Sequence, residues 1–233
     1  GLNKIYAGPT MIYMDTAAPE SVDRNHYHAS ACSFEMSVAR QRLIVNCGQP
    51  AFPDKGWQQA LKNTSAHSTI SLNGQNSAIL DHEQDTVLMK QRLRNIETWR
   101  EEHSLQRGLT ARHDGYAFLY DTLLARRLHL SDSGEYLQGE DIIDGPPGNE
   151  AVIRFHLHPN IKALMDDDKS KGKIFLDLPN NDLWAFTAPG CNVYLEESVY
   201  FGEKGTLKTT QQIVIKTLTG HRPTTIPWVM QRA

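Results

Sequence analysis

Four residues in the first third of the chain have side chains suited to proton transfer or metal binding. His26 and His28 stand at positions i and i+2, so their imidazoles point to the same side if this segment is extended. Asn46 ends one apolar run, and His67 lies in a later short segment. Imidazole nitrogens exchange protons near neutral pH and bind zinc. Spacing alone favours the more ordinary role, a buried hydrogen-bond cluster of His28, Asn46 and His67.

Two later segments carry further candidates. His113 and Tyr116 flank an Asp-Gly pair, which is foremost a turn sequence but could place both side chains at a groove. Arg154 and His156 lie on the polar side of an alternating segment and could meet an anionic ligand. A structural role is favoured for the first pair, and a solvated outer sheet face for the second.

Alternation of apolar and polar residues recurs along the whole chain, whereas helical periodicity is nearly absent. In Ala151–His158, every second residue is apolar and the remaining positions are mostly polar and basic. Comparable strands are predicted at Met11–Asp15, His28–Val38, Arg42–Cys47, His67–Leu72, Thr122–Leu130, Tyr136–Ile143, Lys173–Leu178, Val193–Phe201 and Gln211–Thr217. The pattern predicts an all-β fold, a large sandwich of two antiparallel sheets, with a barrel-like variant as the alternative.

Helices should be few and short in such a fold. The segment that favours a helix is Lys55–Leu61, and at most one or two short helices are expected. Glu83–Glu102 carries mixed charges and should form either an edge-strand pair or an excursion on the surface. A chain of 233 residues without repeats or a flexible linker can form one large β domain, so residues 1–233 are predicted to be a single domain.

Composition excludes several classes of function. The net charge is −3, the isoelectric point is near 6.4, and the basic residues are scattered, which argues against a nucleic-acid partner. No apolar stretch approaches the roughly 18 residues that a membrane span needs. Gly1 is neither an initiator methionine nor the start of a signal peptide, so a piece of a longer protein is expected.

The cysteines and tryptophans are expected to have structural roles. The three cysteines lack CxxC spacing, which argues against a disulfide framework and favours buried free thiols (Cys32, Cys47 and Cys191). Three of the tryptophans are expected in the core or at its rim rather than in a sugar site (Trp57, Trp184 and Trp228).

Short motifs follow one another in a specific order. They are His28–Glu35, Arg42–Gly48, Ala66–Thr69, His113–Tyr116, Arg127-Leu128, Gly139-Glu140-Asp141, Arg154–Pro159 and Glu196–Tyr200. This series resembles the carboxy-terminal domain of heparinase II/III-like proteins, and especially those of alphaproteobacteria. The resemblance covers nearly the whole chain, and the ordered series is far more specific than any single motif.

The resemblance implies a fold and an activity. It implies a supersandwich-like β domain from a lyase that cleaves acidic, uronate-containing polysaccharides by β-elimination. Because the C5 proton of a uronate is weakly acidic, this reaction needs a base of suitable pKa and neutralisation of the carboxylate. The family's amino-terminal α/α toroid supplies a Tyr, an Asn or His and most of the sugar groove. That toroid is not in this sequence, so the isolated chain is expected to be inactive.

The resemblance also suggests roles for single residues. In the family's His-x-His-Ala-Asp motif the first His is a catalytic candidate and the second a metal ligand, which match His26 and His28. Ser30 stands where the motif's acid is expected, and Asn46 stands where another ligand is Asp. His67 matches a further metal ligand. A neutral amide is a poor zinc ligand, so a structural zinc at His28, Asn46 and His67 is a weakened prediction.

Three functions compete at this point. The first is the lyase half-site, to which His26 would contribute, acting on an acidic polysaccharide together with the toroid. The second is a carbohydrate-binding or architectural sandwich without catalysis. The third, a hydrolase using carboxylates such as Glu35, Asp114 or Glu140, has no supporting spacing. A catalytic His26 should be exposed at the domain edge, and a polymer substrate favours the cell envelope over the cytoplasm.

Overall fold

The computed structural model of the chain describes residues 1–17, 28–78, 80, 93, 95–103, 106–166 and 172–233. Two short helices lie within them, α1 (Lys55–Ala60) and α2 (Ala117–Tyr120), with a 3₁₀ turn at Thr64–Ala66. The sixteen strands are β1 (Leu2–Ala7), β2 (Thr10–Asp15), β3 (Phe34–Val38), β4 (Gln41–Val45), β5 (Ile70–Leu72), β6 (Ile96–His103), β7 (Gln106–Tyr116), β8 (Thr122–Ser131), β9 (Tyr136–Asp144), β10 (Glu150–Leu157), β11 (Lys162–Met165), β12 (Lys173–Asp177), β13 (Leu183–Thr187), β14 (Asn192–Tyr200), β15 (Lys208–Leu218) and β16 (Thr224–Arg232).

The strands form two antiparallel sheets of eight strands each. In the first sheet the order is β1-β2-β3-β4-β10-β15-β14, and β5 also pairs with β10. In the second sheet the order is β11-β12-β13-β16-β9-β8-β7-β6. The two sheets pack as a sandwich, so the prediction of an all-β sandwich with one or two short helices is confirmed. No helix within the described residues is long and apolar enough to span a membrane.

The inner faces of both sheets supply one continuous core. In β8, every second residue from Thr122 to Leu130 is buried, as the alternation predicts. Trp184 and Trp228 are fully buried, Trp57 packs on Phe201 at the rim, and Cys32 and Cys47 are buried free thiols, while Cys191 is half-buried. Helix α1 lies where it was predicted, and Asp54 caps its amino end.

The strand predicted at His28–Val38 begins only at Phe34. Cys32 has a φ of 56°, and Ser33 N donates to Ser30 O, so a turn interrupts the extended backbone before β3. His28 therefore lies on an irregular segment. The predicted strand at His67–Leu72 is likewise reduced to Ile70–Leu72.

Five strands were not predicted, namely β1, β7, β11, β13 and β16. Pro227 inside β16, and Pro223 just before it, argue against a strand inside a sheet. Strand β13 pairs only with residues from Val229 onward, so Pro227 has a neighbouring strand, β9, on one side only. Proline has no backbone N–H to donate, and the side of Pro227 without a neighbouring strand tolerates this loss. Of the segment Glu83–Glu102, Ile96 onward belongs to edge strand β6, and residues 81–92 lie outside the described part.

A buried ion pair lies between the sheets, on two adjacent strands of the second sheet. Arg126 on β8 and Asp141 on β9 are 1% and 0% exposed, and their side chains form a bidentate pair with distances of 2.7 and 2.9 Å. Trp228 Nε1 donates to the same carboxylate at 3.0 Å. The Arg126 guanidinium lies 5.3 Å from the Phe34 ring centre. Asp141 is thus satisfied from two directions, as a buried charge must be.

The guanidinium also reaches the first sheet. Arg126 Nη1 donates to Ser68 O at 2.6 Å and to Cys32 O at 3.3 Å. Ser68 follows His67, and Cys32 ends the irregular segment that starts at His28. One side chain of the second sheet therefore holds the two segments that carry these histidines.

We expect Asp141→Ala to destabilise the fold by about 3–5 kcal/mol, because it leaves a buried guanidinium without its counter-charge. Glu97→Ala, which removes the partner of the exposed Arg112, is the matched control and should cost at most about 1 kcal/mol. Urea unfolding monitored by tryptophan fluorescence measures both. Equal losses in the two variants would contradict the role given to Arg126.

Candidate functional site

An open groove of about 690 Å³ lies on the first sheet beside the irregular segment that begins at His28. Its lining combines imidazole, carboxylate and amide side chains with the ring of one tyrosine. The residues that line it are Gly1, Leu2, Tyr13, Asp15, Ala17, His28, Ser30, Ser33, Glu35, Asn46, Gly48, Gln49 and His67. The groove therefore brings together three of the predicted site residues, His28, Asn46 and His67.

Backbone hydrogen bonds hold the segment after His28 in place. Ala29 N donates to Lys62 O, and Thr64 Oγ1 donates to Ala29 O. Cys32 N donates to Asp15 O, and Ser30 Oγ donates to the Asp15 carboxylate at 2.5 Å. The segment has irregular structure but is well fixed, because its polar groups bond to neighbouring elements.

The two histidines form a hydrogen-bond chain. His67 Nδ1 donates to Asn63 O at 2.8 Å, so its Nε2 is the acceptor for His28 Nδ1 at 3.3 Å. Gln49 Nε2 in turn donates to His28 Nε2 at 2.7 Å. Each imidazole in this arrangement is neutral, and Gln49, His28 and His67 have matched donors and acceptors.

Glycine at position 48 makes the approach of Gln49 feasible. Gly48 has a φ of 79°, and a Cβ there would lie 2.6 Å from Gly202 N. No larger residue fits this backbone without a shift.

Burial keeps His67 neutral. Burial, together with the neighbouring His28, lowers the pKa of His67 to about 3, since two imidazolium ions cannot be held so close. A proton on His67 would also remove the acceptor of the His28 N–H. His67 therefore serves as a fixed neutral acceptor at physiological pH.

Asn46 is part of the same cluster but is turned to other partners. Its Oδ1 accepts from Ser68 N at 2.9 Å, and its Nδ2 donates to Glu35 at 3.3 Å. The side chain thus ties β4 to the segment after His67 and orients Glu35.

The described residues do not complete a zinc site. His28 Nδ1 and His67 Nε2 are 3.3 Å apart, which matches the separation of two nitrogens on tetrahedral zinc with bonds of about 2.0–2.1 Å. The two imidazoles lack a third ligand with a negative charge, because position 46 carries a neutral amide that is already hydrogen-bonded. Within the described part of the chain, no three His, Cys, Asp or Glu residues form a group suited to a metal ion.

We expect Asn46→Asp to bind Zn²⁺ about 10-fold or more tightly than the unchanged chain, because the carboxylate supplies the missing anionic ligand. Competition with a chromogenic chelator measures the affinity. Asn46→Asp combined with His67→Ala is the control and should lose the gain. Equal zinc affinity of the Asn46→Asp variant and the unchanged chain would contradict this interpretation.

The sequence matches the family model described as heparinase II/III-like, C-terminal, over residues 1–229. The chain belongs to this family. No curated protein sequence matches the chain. The resemblance that the ordered motifs indicated is therefore confirmed for the family, while the alphaproteobacterial subtype stays a prediction.

Solved structures share the fold. The heparan sulfate lyase HepC from Pedobacter heparinus has a TM-score of 0.76 at 13% identity, and the match covers 96% of this chain and 33% of that one. A structure of heparinase III has a TM-score of 0.69 at 13% identity, covering 99% and 34%. Slr1438 from Synechocystis sp. PCC 6803 has a TM-score of 0.53 at 9% identity, covering 100% and 96%. The chain spans about a third of the length of the two lyases.

His26, the catalytic candidate suggested by the heparinase II/III-like motif, lies outside the described residues. Its predicted exposure at the domain edge stays a prediction. His28, two residues later, is half-buried and lines the groove.

His113 and Tyr116 do not line the groove. Both are buried, at 3% and 0% exposure, and the Tyr116 hydroxyl donates to Gln75 O at 2.9 Å. Strand β7 runs through the Asp-Gly pair to Tyr116 with an irregular register there, so the pair does not form a turn that faces the groove. This burial agrees with the structural role that the sequence favoured, and the catalytic role of the two residues stays a prediction.

The polar face of β10 is covered. His156 and His158 are 2% and 4% exposed, and Arg154 is half-buried and donates to Ser71 Oγ. The prediction of a solvated face is wrong, because Ser65 of the 3₁₀ turn and Ser198 of β14 contact His156, and the Tyr200 ring packs on His158. Arg154 and His156 are absent from the lining of the groove, so their substrate role stays a prediction without support from this geometry.

A buried Cys–His pair was not predicted. His156 Nε2 donates to Ser65 O at 3.1 Å, so its Nδ1 accepts from Ser198 Oγ at 2.8 Å and faces Cys47 Sγ at 3.5 Å. Burial raises the pKa of Cys47 to about 12 and lowers the pKa of His156 to about 4. Both groups stay neutral, so this pair cannot act as a thiolate–imidazolium nucleophile. Asn46 lines the groove, whereas Cys47 faces His156.

Buried neutral histidines make stability depend on pH. Burial lowers the pKa of both His113 and His156 to about 4, below the ordinary value of 6.5 in the unfolded chain. Between these values the unfolded chain binds more protons, so the free energy of unfolding falls as pH drops from about 6.5 towards 4. Each histidine contributes at most about 1.4 kcal/mol per pH unit.

We expect His113→Gln to reduce this pH slope between pH 6.5 and 4.5, with urea unfolding at each pH as the measurement. His221→Gln, at an exposed histidine, is the control and should leave the slope unchanged. An unchanged slope in a folded His113→Gln variant would contradict the burial of a neutral imidazole.

Proposed function

We propose that the chain is the carboxy-terminal module of a polysaccharide lyase that cleaves uronate-containing polysaccharide by β-elimination. The observation that carries the proposal is family membership over residues 1–229, combined with a groove into which His28 projects. The chain contributes one wall of the cleft, and an amino-terminal α/α toroid of the parent protein contributes the other.

The chemistry explains why two parts are needed. A base removes the C5 proton of the uronate, the resulting charge spreads onto the carboxylate, and the glycosidic oxygen leaves with a proton. An enolate-like intermediate requires cationic or hydrogen-bonding groups at the carboxylate. A base or acid with a pKa near 7, such as an imidazole, suits the proton transfers.

This chain can supply imidazole and amide groups to such a cleft. His26 is proposed as the catalytic residue. His28, fixed between Gln49 and His67, is proposed to set the position of the segment that follows His26. Gln49 adds an amide at the groove wall that can hydrogen-bond a sugar hydroxyl once it leaves His28.

The described part of the groove lacks the group that neutralises the carboxylate. Asp15 and Glu35 line it, and no Lys or Arg does so among the described residues. A uronate carboxylate would meet repulsion there unless cations come from elsewhere. The toroid is proposed to provide them, which accounts for the expected inactivity of the isolated chain.

A second candidate function is a non-catalytic carbohydrate-binding or architectural sandwich. The observation in its favour is that His28 and His67 already satisfy one another and that the described groove wall is acidic. Under this alternative the groove packs against the toroid, and His26 can be replaced without loss of activity.

We expect a protein that includes the preceding toroid to release unsaturated uronate from an acidic glycan, and the 233-residue chain to release none. Ultraviolet absorbance of the unsaturated product measures this over a panel of sulfated and unsulfated polyuronates. His26→Ala in the longer protein should lower the rate by roughly 10²–10⁴, the usual contribution of acid–base catalysis. His221→Ala, at an exposed histidine, is the matched control.

Full activity of a folded His26→Ala protein would contradict the catalytic role and favour the architectural alternative. Activity of the 233-residue chain alone would contradict the proposed division of the cleft.

A further inference from the structure

A second groove lies on the outer face of the other sheet. It has a volume of about 320 Å³ and crosses strands β6, β7, β8 and β9. This volume is at the lower end of the range of about 300–1,000 Å³ usual for small-ligand sites. Nothing in the proposed lyase cleft uses this groove.

Trp99 forms one wall. Its indole is 46% exposed, whereas Trp184 and Trp228 are fully buried and Trp57 is half-buried against Phe201. An indole on an open sheet face lacks the apolar contacts that a tryptophan makes in the core. The Arg112 guanidinium lies 5.5 Å from the ring centre and supports the indole from one side.

The floor of the groove is apolar and its rim is polar. Leu123, Ala125 and Ile142 lie beneath it on β8 and β9. Charged side chains stand around it, with Glu101 and Asp144 supplying acceptors and Arg112 and Arg127 supplying donors. A flat apolar ring with donors and acceptors at its edge matches this arrangement.

The positive charges of the rim are compensated by carboxylates. Arg112 pairs with Glu97 at 2.6 Å, and Arg127 pairs with Glu140 at 2.8 Å. Glu101 faces His129 at 3.4 Å, and Asp144 pairs with Arg222 at 2.6 Å. Each side chain keeps unused lone pairs or N–H groups, but no uncompensated positive charge remains for an anion. An anionic ligand would also lie near Glu101 and Asp144.

We propose that this groove binds a neutral pyranose unit of a glycan, with the sugar ring stacked on Trp99 and its hydroxyls bonded to Arg112, Arg127, Glu101 and Asp144. A pyranose has an apolar C–H face and a hydroxyl-bearing edge, which fits the indole and the polar rim. The site is separate from the groove at His28, and the inference does not depend on lyase activity.

The test is isothermal titration calorimetry of the 233-residue chain with three probes. They are the β-1,4-linked tetramers of glucose and of N-acetylglucosamine, which are neutral, and a tetramer of galacturonate, which is anionic. We expect a neutral tetramer to bind, the galacturonate tetramer to bind more weakly, and the neutral affinity to be nearly unchanged between 50 mM and 500 mM salt, where an ionic contact would be screened.

Trp99→Ala should weaken neutral-tetramer binding about tenfold or more, since a lost aromatic contact and its buried area are worth about 1.4 kcal/mol. Tyr136→Ala is the matched control, because Tyr136 is 40% exposed on the same sheet face but outside the groove. It should leave the affinity unchanged. Both positions are exposed, and unfolding curves verify that the variants fold.

Three outcomes would overturn the proposal: no heat of binding with either neutral tetramer, equal losses in the Trp99→Ala and Tyr136→Ala variants, or a preference for galacturonate that disappears at 500 mM salt. The lyase assay is unaffected by any of these outcomes, so failure here is distinguishable from failure of the lyase function.

Discussion

The buried pair of Arg126 and Asp141 is the constraint on which the rest of the structure depends. A guanidinium fully removed from water needs a counter-charge and hydrogen-bond acceptors for its remaining N–H groups. Asp141 supplies the charge, and the carbonyls of Cys32 and Ser68 supply acceptors from the segments that precede β3 and β5 of the other sheet. The geometry of the His28 groove is therefore set partly by a residue that does not line it.

This arrangement explains how irregular backbone can carry a defined site. The segment after His28 is not a strand, and Cys32 adopts a positive φ. Its carbonyls are instead bound by Arg126, by Thr64 and by Thr69. The hydrogen-bond chain from Gln49 through His28 to His67 then needs a neutral His67 as its acceptor, which burial ensures.

Part of this could be predicted from sequence. Alternation identified most strands, and the motif series identified the family. The same alternation could also have identified Arg126 and Asp141, because each stands at a core-facing position between apolar residues of β8 and β9. The turn before β3 and the cover over His156 could not be predicted, since both arise from contacts between segments far apart in sequence. Local pattern also fails at Pro227, where the end of a neighbouring strand permits a residue that a central strand normally excludes.

The groove at His28 supplies some of the groups that a lyase cleft needs, but not all of them. An acidic groove wall with a fixed neutral histidine pair suits one side of a shared cleft better than a complete active site. The most direct test is a crystal structure of the longer protein with a uronate-containing oligosaccharide bound. We predict sugar in the groove, with a hydroxyl within hydrogen-bond distance of Gln49 or His28 and a toroid cation at the carboxylate. Sugar bound wholly within the toroid, with the groove filled by packed side chains, would contradict it.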